Sequence, residues 1–156
     1  MNDRPVRAAS VYAPTGKTHY PPPYAALVAG RVKRKLGDLF GLTNFGVNLT
    51  ELAPGSASSV LHRHSRQDEF VYVLAGTPTL VIDNEEFVLR PGECYGFKAG
   101  NGRAHQLVNR TAERAAYLEI GDRSGGDDVE YPDADLKAVQ RTDGSWAFTR
   151  KDGRAY

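Results

Sequence analysis

The chain between Phe45 and Ile120 consists of short apolar or alternating segments that are separated by glycine and proline turns. These segments are rich in β-branched and aromatic residues, which favour strands. The predicted strands cover residues 45–49, 69–74, 79–82, 86–89, 94–97, 105–108 and 115–120. No stretch carries the longer period of an extended amphipathic helix. Many short strands at regular spacing predict an all-β antiparallel sandwich or barrel.

The predicted strands occupy the middle of the chain, and the two ends differ from it in composition. Residues 1–44 are predicted to form an irregular N-terminal arm, because Pro5, Pro14 and the prolines at 21–23 disfavour helix. Residues 45–121 form the predicted barrel. Residues 122–156 are polar and rich in glycine and aspartate, and we expect them to form a C-terminal arm that packs on the barrel or on a partner subunit.

The composition limits the classes of protein to which the chain can belong. A length of 156 residues suits one domain with a proper core. A net charge of +1 argues against a nucleic-acid or anionic-membrane surface. The first residues lead into no apolar run, so we expect neither a secretion signal nor a membrane partner. The one cysteine, Cys94, fits a reducing compartment and is interpreted as a small buried residue. The predicted location is therefore the cytoplasm.

Three histidines and an acidic residue are spaced as ligands of a single metal ion. Residues two apart in an extended strand point to the same face, so His62 and His64 can converge on one point. Glu69 stands at the head of the predicted strand 69–74, and His105 follows about forty positions after the pair. Asp68 is the alternative acidic ligand. The pattern predicts a metal site with mixed nitrogen and oxygen ligands.

These residues resemble the two sequence motifs of the cupin superfamily. The first motif corresponds to Gly55, His62, His64, Glu69 and Gly76, and the second to Gly92, Gly100, His105 and Asn109. The chain differs from the usual pattern in having Lys98 where a proline is common and a longer loop at 101–104. The stretches 41–49 and 110–131 are similar to a group of small single-domain bacterial cupins without an assigned reaction.

The resemblance implies a fold and a ligand set. The fold would be a double-stranded β-helix, the jelly-roll barrel of cupins. The ligands would be His62, His64, Glu69 and His105, and they would bind one divalent transition metal: Mn, Fe, Co, Ni, Cu or Zn. Glu69 is preferred to Asp68 because six residues separate it from Gly76, as in the motif. Strand alternation allows only one of the two acids to face inward.

Several residues near the predicted ligands are candidates for a substrate pocket. Tyr95 and Phe97 belong to a strand near the second motif and are predicted to line the cavity mouth. Lys98 and Gln106 lie beside His105 in the sequence and are predicted to bind an anionic substrate; their alternative is a solvent-facing position.

Two further charged features have an ordinary and a functional interpretation. Glu119 is interpreted as a surface charge, and it would be an acid–base group only if its side chain faced inward. The basic cluster at 31–35 is interpreted as a solvated edge, and a binding site for a phosphate or carboxylate is the alternative.

The sequence leads to two main functional hypotheses. The first is a metal-dependent enzyme on a small anionic metabolite, either a sugar or sugar-phosphate isomerase or epimerase, or an iron-dependent dioxygenase. The second is a non-catalytic module that binds a small molecule or senses it. Because exposed sheet edges favour pairing, we also expect a homodimer.

Overall fold

The computed structural model describes residues 2–16, 18–22 and 24–156, so Pro23 of the proline run at 21–23 lies outside the described residues. The described residues form twelve strands: β1 Arg31–Lys35, β2 Phe45–Leu52, β3 Arg63–His64, β4 Glu69–Ala75, β5 Thr79–Ile82, β6 Glu85–Val88, β7 Cys94–Phe97, β8 His105–Val108, β9 Ala115–Asp122, β10 Asp128–Glu130, β11 Lys137–Gln140 and β12 Trp146–Thr149. The helical elements are short: 3₁₀ turns at Ala8–Ser10 and Tyr24–Val28, and one α-helical turn, α1, at Leu36–Leu39.

All strand pairs are antiparallel, and they form three sheets. The largest sheet has the order β1-β2-β9-β4-β7, the second has the order β12-β11-β10-β3, and the third has the order β6-β5-β8. The predicted hairpin connects β5 and β6, where Asp83 adopts a left-handed backbone with φ of 52°. The prediction of an all-β antiparallel jelly roll is confirmed.

The main core lies between the five-stranded and the three-stranded sheets. Its members are apolar and almost fully buried: Leu52, Val71, Val73, Leu80, Ile82, Leu89, Leu107 and Tyr117. Strand β4 shows the alternation behind this packing, because Val71 and Val73 are buried whereas Phe70, Tyr72 and Leu74 are exposed. Burying each aliphatic side chain of this size stabilises the fold by about 1.5–3 kcal/mol.

The residues on either side of the predicted barrel contribute strands to these sheets. At the N-terminal side, β1 pairs with β2 along its full length, from Arg31 opposite Leu52 to Lys35 opposite Asn48. At the C-terminal side, β10 pairs with β3, and β11 and β12 extend that sheet. A second apolar cluster lies under them: Val60, Val129, Tyr131, Ala134, Leu136 and Ala138. The basic composition of β1 gives little sign of a strand, because the ladder that pairs it with β2 is made by backbone hydrogen bonds.

The cysteine does not lie where the sequence predicts it. Cys94 is exposed, so the prediction of a buried thiol is wrong. Strand β7 is an edge strand, and Tyr95 and Phe97 take its inner face, which leaves Cys94 opposite the exposed Tyr72 on the outer face. Among the described residues, no helix has the length and apolar character that crossing a membrane requires.

Candidate metal centre

Three strands of different sheets bring the histidine cluster together. His62 and His105 form an isolated antiparallel bridge, in which each backbone amide donates to the carbonyl oxygen of the other, at 3.1 and 2.7 Å. His64 follows in β3, and Glu69 begins β4. The backbone bridge therefore closes the gap of about forty positions between the two histidine motifs.

The Nε2 atoms of all three imidazoles point at one oxygen of Glu69. The distances to Glu69 Oε2 are 2.9 Å from His105, 3.4 Å from His64 and 3.6 Å from His62. The ligand atoms of His62, Glu69 and His105 all lie within 4.8 Å of one another. Imidazole nitrogens and a carboxylate oxygen this close together suit a transition metal, and His64 is the predicted ligand that does not belong to this group of three.

The other candidate acid points elsewhere. The Asp68 side chain is about half exposed, and it accepts hydrogen bonds from Lys98 Nζ at 3.1 Å and from the Ala99 amide at 2.8 Å. These bonds lower the pKa of Asp68, with the Ala99 amide as the largest cause. Asp68 therefore holds the loop after β7, while alternation turns Glu69 inward.

Hydrogen bonds on the far side of two rings leave Nε2 free for a metal. His62 Nδ1 lies 3.0 Å from the Val60 carbonyl oxygen, and His64 Nδ1 lies 2.5 Å from Asp127 Oδ2. A carbonyl or carboxylate oxygen can only accept, which assigns the proton to Nδ1 in both rings. His105 is fixed differently: its ring stacks on Phe97 with centroids 3.6 Å apart.

Asp127 contacts a predicted ligand, yet the sequence motifs do not reveal it. Its side chain is fully buried, and its Oδ1 accepts hydrogen bonds from the Arg66 amide at 2.7 Å and from Ser65 Oγ at 3.0 Å. Pairing of β10 with β3 places it there, opposite the histidine motif. In the sequence it is one of several aspartates in a polar, glycine-rich stretch, so only its partner identifies it.

Burial and hydrogen bonding act in opposite directions on the protonation of the cluster. Burial would raise the pKa of Glu69, but the hydrogen bond from His105 and the adjacent imidazoles of His62 and His64 lower that pKa well below its ordinary value. Burial lowers the pKa of His105. Burial also opposes protonation of His64, but Asp127 outweighs it and raises the pKa of His64. Metal ligation needs neutral imidazoles, so as the pH falls protons compete with a metal at His64 before they do so at His105.

The cluster faces a cavity of about 710 Å³. Strand alternation aims Arg31, Lys33 and Lys35 of β1 at this cavity, whereas Arg34 turns outward and pairs with Glu51 at 2.7 Å. Aromatic residues from the barrel and from both ends of the chain complete the wall: Tyr20, Phe97, Tyr131, Trp146 and Phe148. A cavity of this size suits a small organic ligand.

The four predicted pocket residues lie in different environments. Phe97 lines the cavity beside His105. Tyr95 contacts the Phe97 ring at a centroid distance of 5.1 Å, but it is 36% exposed at the sheet edge and does not line the cavity. The Lys98 side chain is 75% exposed and paired with Asp68. Gln106 alternates outward on β8 and also lies outside the cavity lining.

Glu119 faces the cavity, so its interpretation as a surface charge is wrong. Its side chain is only 17% exposed. Lys33 Nζ donates to Glu119 Oε1 at 2.6 Å, and Asn48 Nδ2 donates to the same oxygen at 3.2 Å. Pairing of β9 between β2 and β4 fixes this orientation, because Asn48, Glu119 and Val71 lie opposite one another across the sheet. The second oxygen, Oε2, has no hydrogen-bond partner within the part of the chain that the structure describes.

The fold and the ligand cluster together define the class of protein. The family model described as "Cupin domain" matches residues 48–121. The chain belongs to the cupin superfamily, as the sequence motifs predict.

Solved structures extend the similarity over almost the whole chain. A structure named as a sugar phosphate isomerase from a cupin superfamily, from Silicibacter pomeroyi, is 40% identical, with 98% of this chain and 96% of that chain covered and a TM-score of 0.90. A putative sugar phosphate isomerase from Acidithiobacillus ferrooxidans is 34% identical over 80% of both chains, with a TM-score of 0.72. The polyketide cyclase RemF from Streptomyces resistomycificus shares the fold at 22% identity and a TM-score of 0.63, over 78% of this chain and 80% of that chain. No curated protein matches the chain.

The donor set fits a divalent transition metal. Three imidazole nitrogens and one carboxylate oxygen suit Mn, Fe, Co, Ni, Cu or Zn, and a six-coordinate ion would keep positions for water or substrate. The hydrogen bonds to Val60 and Asp127 support the fit, because imidazole ligands of metals almost always donate their other N–H to an acceptor.

Replacing Asp127 with asparagine is expected to weaken metal binding about 10–100-fold. The amide nitrogen of Asn would donate to His64 Nδ1, which would move the ring proton to Nε2, the atom that faces the metal site. Competition with a chelator measures the affinity. Asp128→Asn is the matched control, since the neighbouring Asp128 engages Ser65 through its backbone alone. An unchanged affinity in Asp127→Asn would contradict the role of Asp127.

Proposed function

We propose that this protein is a metal-dependent isomerase or epimerase that acts on a sugar phosphate. The observation that carries the proposal is the shared cavity, in which the Nε2 and carboxylate cluster and a row of cationic side chains face the same space. The relative from Silicibacter pomeroyi, which bears the name of a sugar phosphate isomerase, supports the substrate class.

His62, His64, Glu69 and His105 are the residues that would hold the metal. A divalent ion in such a site acts as a Lewis acid on a substrate oxygen. The residues around it provide orientation, since hydrogen bonds from Val60 and Asp127 fix two of the rings.

Glu119 is the residue proposed to move the proton. Interconverting a hydroxy aldehyde and a hydroxy ketone transfers a proton between adjacent atoms, so a group must accept it and return it. Lys33 and Asn48 both donate to Oε1 of Glu119, which holds the carboxylate in place and leaves Oε2 to accept the proton.

A panel of five- and six-carbon aldose and ketose phosphates tests the proposal. The protein is loaded in turn with Mn, Fe, Co, Ni, Cu or Zn, and the products are followed by proton NMR in D₂O. The expected result is conversion of one sugar phosphate to its isomer, with deuterium incorporated beside the carbonyl and without oxygen uptake.

Two other outcomes would replace the proposal with one of its alternatives. Substrate-dependent oxygen uptake by the iron-loaded protein would identify a dioxygenase. Tight binding of a sugar phosphate that is recovered unchanged with every metal would identify a non-catalytic sensor or binding module.

A homodimer and a cytoplasmic location stay predictions. The outer face of β4 presents Phe70, Tyr72 and Leu74, which are 37%, 39% and 44% exposed, and a second copy would bury them. Light scattering is expected to give twice the chain mass of 17.1 kDa. Tyr72→Asp is expected to shift the mass to that of one chain, whereas a monomeric wild-type protein would contradict the dimer.

A further inference from the structure

We propose that the Arg31 guanidinium and the Tyr117 hydroxyl form the subsite that binds the phosphate group of the substrate. The inference rests on the proposed function, because it names the position at which a sugar phosphate is held. The sequence alone allows two interpretations of the basic strand β1, a solvated edge or a binding site for an anion. The inference assigns Arg31 to an anion site.

Arg31 is the cavity-facing arginine whose charge is not balanced. Among the described residues, no carboxylate forms an ion pair with Arg31. By contrast, Lys33 pairs with Glu119 at 2.6 Å and Arg123 pairs with Asp38. Its guanidinium donates one hydrogen bond, to the Ser58 carbonyl oxygen. Pairing of Arg31 with Leu52 fixes the backbone beneath it. A guanidinium has five N–H donors, so most of them are left for a ligand.

Tyr117 has a buried hydroxyl without a partner. The residue is 0% exposed, and its oxygen has no hydrogen-bond partner among the residues that the structure describes, although it lines the cavity. The Ser58 side chain acts on the hydroxyl as a polar neighbour that lowers its pKa, but the two hydroxyls do not meet hydrogen-bond geometry. A buried hydroxyl without a hydrogen bond costs about 1–3 kcal/mol. A ligand oxygen in the cavity would remove this cost.

Arg31 and Tyr117 line the same cavity, and Arg31 donates to the backbone of Ser58, whose side chain acts on the Tyr117 hydroxyl. Burial raises the pKa of the Tyr117 hydroxyl well above its ordinary value, and the charge of Glu119 adds to this effect, whereas the charge of Arg31 acts against it. The hydroxyl is therefore a proton donor at neutral pH. The charge of Arg31 also acts on Tyr131, whose ring lies 6.1 Å from that of His62. The subsite is thus a neighbour of the metal cluster.

A phosphate ester is the ligand class that matches this donor set. Its terminal oxygens can accept two N–H bonds from one guanidinium and a third bond from the tyrosine hydroxyl. A carboxylate has about four lone-pair sites on its two oxygens, so it could also accept from both groups, but it has one oxygen and about one negative charge fewer than a phosphate ester. The row of cationic side chains on β1 is therefore expected to hold the phosphate ester more tightly than a carboxylate.

Calorimetric titration with inorganic phosphate at low ionic strength tests the subsite. Arg31→Gln is expected to weaken phosphate binding about tenfold or more, and Arg31→Lys is expected to lose a large part of the affinity because it lacks the fork. Tyr117→Phe is expected to weaken phosphate binding without lowering the melting temperature, since the hydroxyl has no protein partner to lose. Arg114→Gln is the matched control, because Arg114 is exposed in the turn before β9.

Three results would overturn the inference. Phosphate affinity in Arg31→Gln and Arg31→Lys equal to that of wild type would exclude Arg31. A drop of the same size in Arg114→Gln would show non-specific charge attraction. Acetate that binds as tightly as phosphate would show that the site does not prefer a phosphate group to a carboxylate.

His105→Ala separates this inference from the proposed function. The variant is expected to lose the metal and to keep phosphate binding within about threefold of wild type, because Arg31 and Tyr117 belong to other strands. Loss of phosphate binding in His105→Ala, with retention in Arg31→Gln, would place the phosphate at the metal and overturn the subsite. If wild type proved to be free of metal after loading, the proposed function would fail while the phosphate titration would still decide the subsite.

Discussion

Replacement of His105 with alanine is expected to remove the metal from the protein. Wild type loaded with its preferred ion is expected to hold about one equivalent per chain, and the variant close to none. The reason is that His105 Nε2 lies closest of the three imidazoles to Glu69 Oε2, at 2.9 Å, so its loss opens the most compact part of the cluster. Losing an outer hydrogen-bond partner alone costs about 10–100-fold in affinity, and loss of a ligand is expected to exceed that. Elemental mass spectrometry after gel filtration gives the result.

His19 provides the matched control for this experiment. It also borders the cavity, but it is exposed and does not belong to the cluster. His19→Ala is therefore expected to retain the metal, and His62→Ala is expected to lose it as His105→Ala does. A wild-type protein that takes up none of the six metals would contradict the metal centre.

Replacement of Glu119 with glutamine is expected to lower kcat about 10²–10⁴-fold, the range found for loss of a general acid–base group. The amide keeps an oxygen that can accept from Lys33 and Asn48, so the side chain stays in place. What it loses is a carboxylate oxygen that can take up a proton. The isomerase assay with the sugar phosphate found in the panel measures the effect, and metal content is expected to remain at the wild-type level.

Glu113→Gln controls for the loss of one negative charge, since the Glu113 side chain is exposed in the turn before β9. A decrease in kcat of less than threefold in Glu119→Gln would contradict the proton-transfer role. A decrease in kcat that accompanies loss of metal would show instead that Glu119 acts by supporting the metal cluster.

The sequence predicts the features of this fold that depend on residues close together in the chain. The strand segments are visible because glycine and proline turns interrupt runs of β-branched and aromatic residues. The ligand set is visible because strand alternation and motif spacing place His62, His64 and Glu69 on one face. The structure brings these side chains to one oxygen, as the motifs imply.

The parts that the sequence does not reveal depend on which strands become neighbours. Asp127 reaches His64 only because β10 pairs with β3. Glu119 faces the cavity because β9 lies between β2 and β4, and one strand considered alone is equally compatible with either orientation. Tyr95 has the inward parity expected of it, yet β7 is an edge strand and leaves it exposed.

The pairing of β10 with β3 couples the C-terminal strands to the ligand cluster. The barrel strands β4 and β8 contribute Glu69 and His105, whereas His64 belongs to the sheet that the C-terminal strands complete. An ion held by all of these residues would cross-link the two parts of the molecule, as a disulfide cross-links distant segments. Metal binding and local unfolding of β10–β12 would be thermodynamically linked. Destabilising these strands would weaken metal affinity, and a bound metal would make their opening less favourable. The stability of the C-terminal strands is therefore expected to contribute to metal affinity, although these strands provide no ligand.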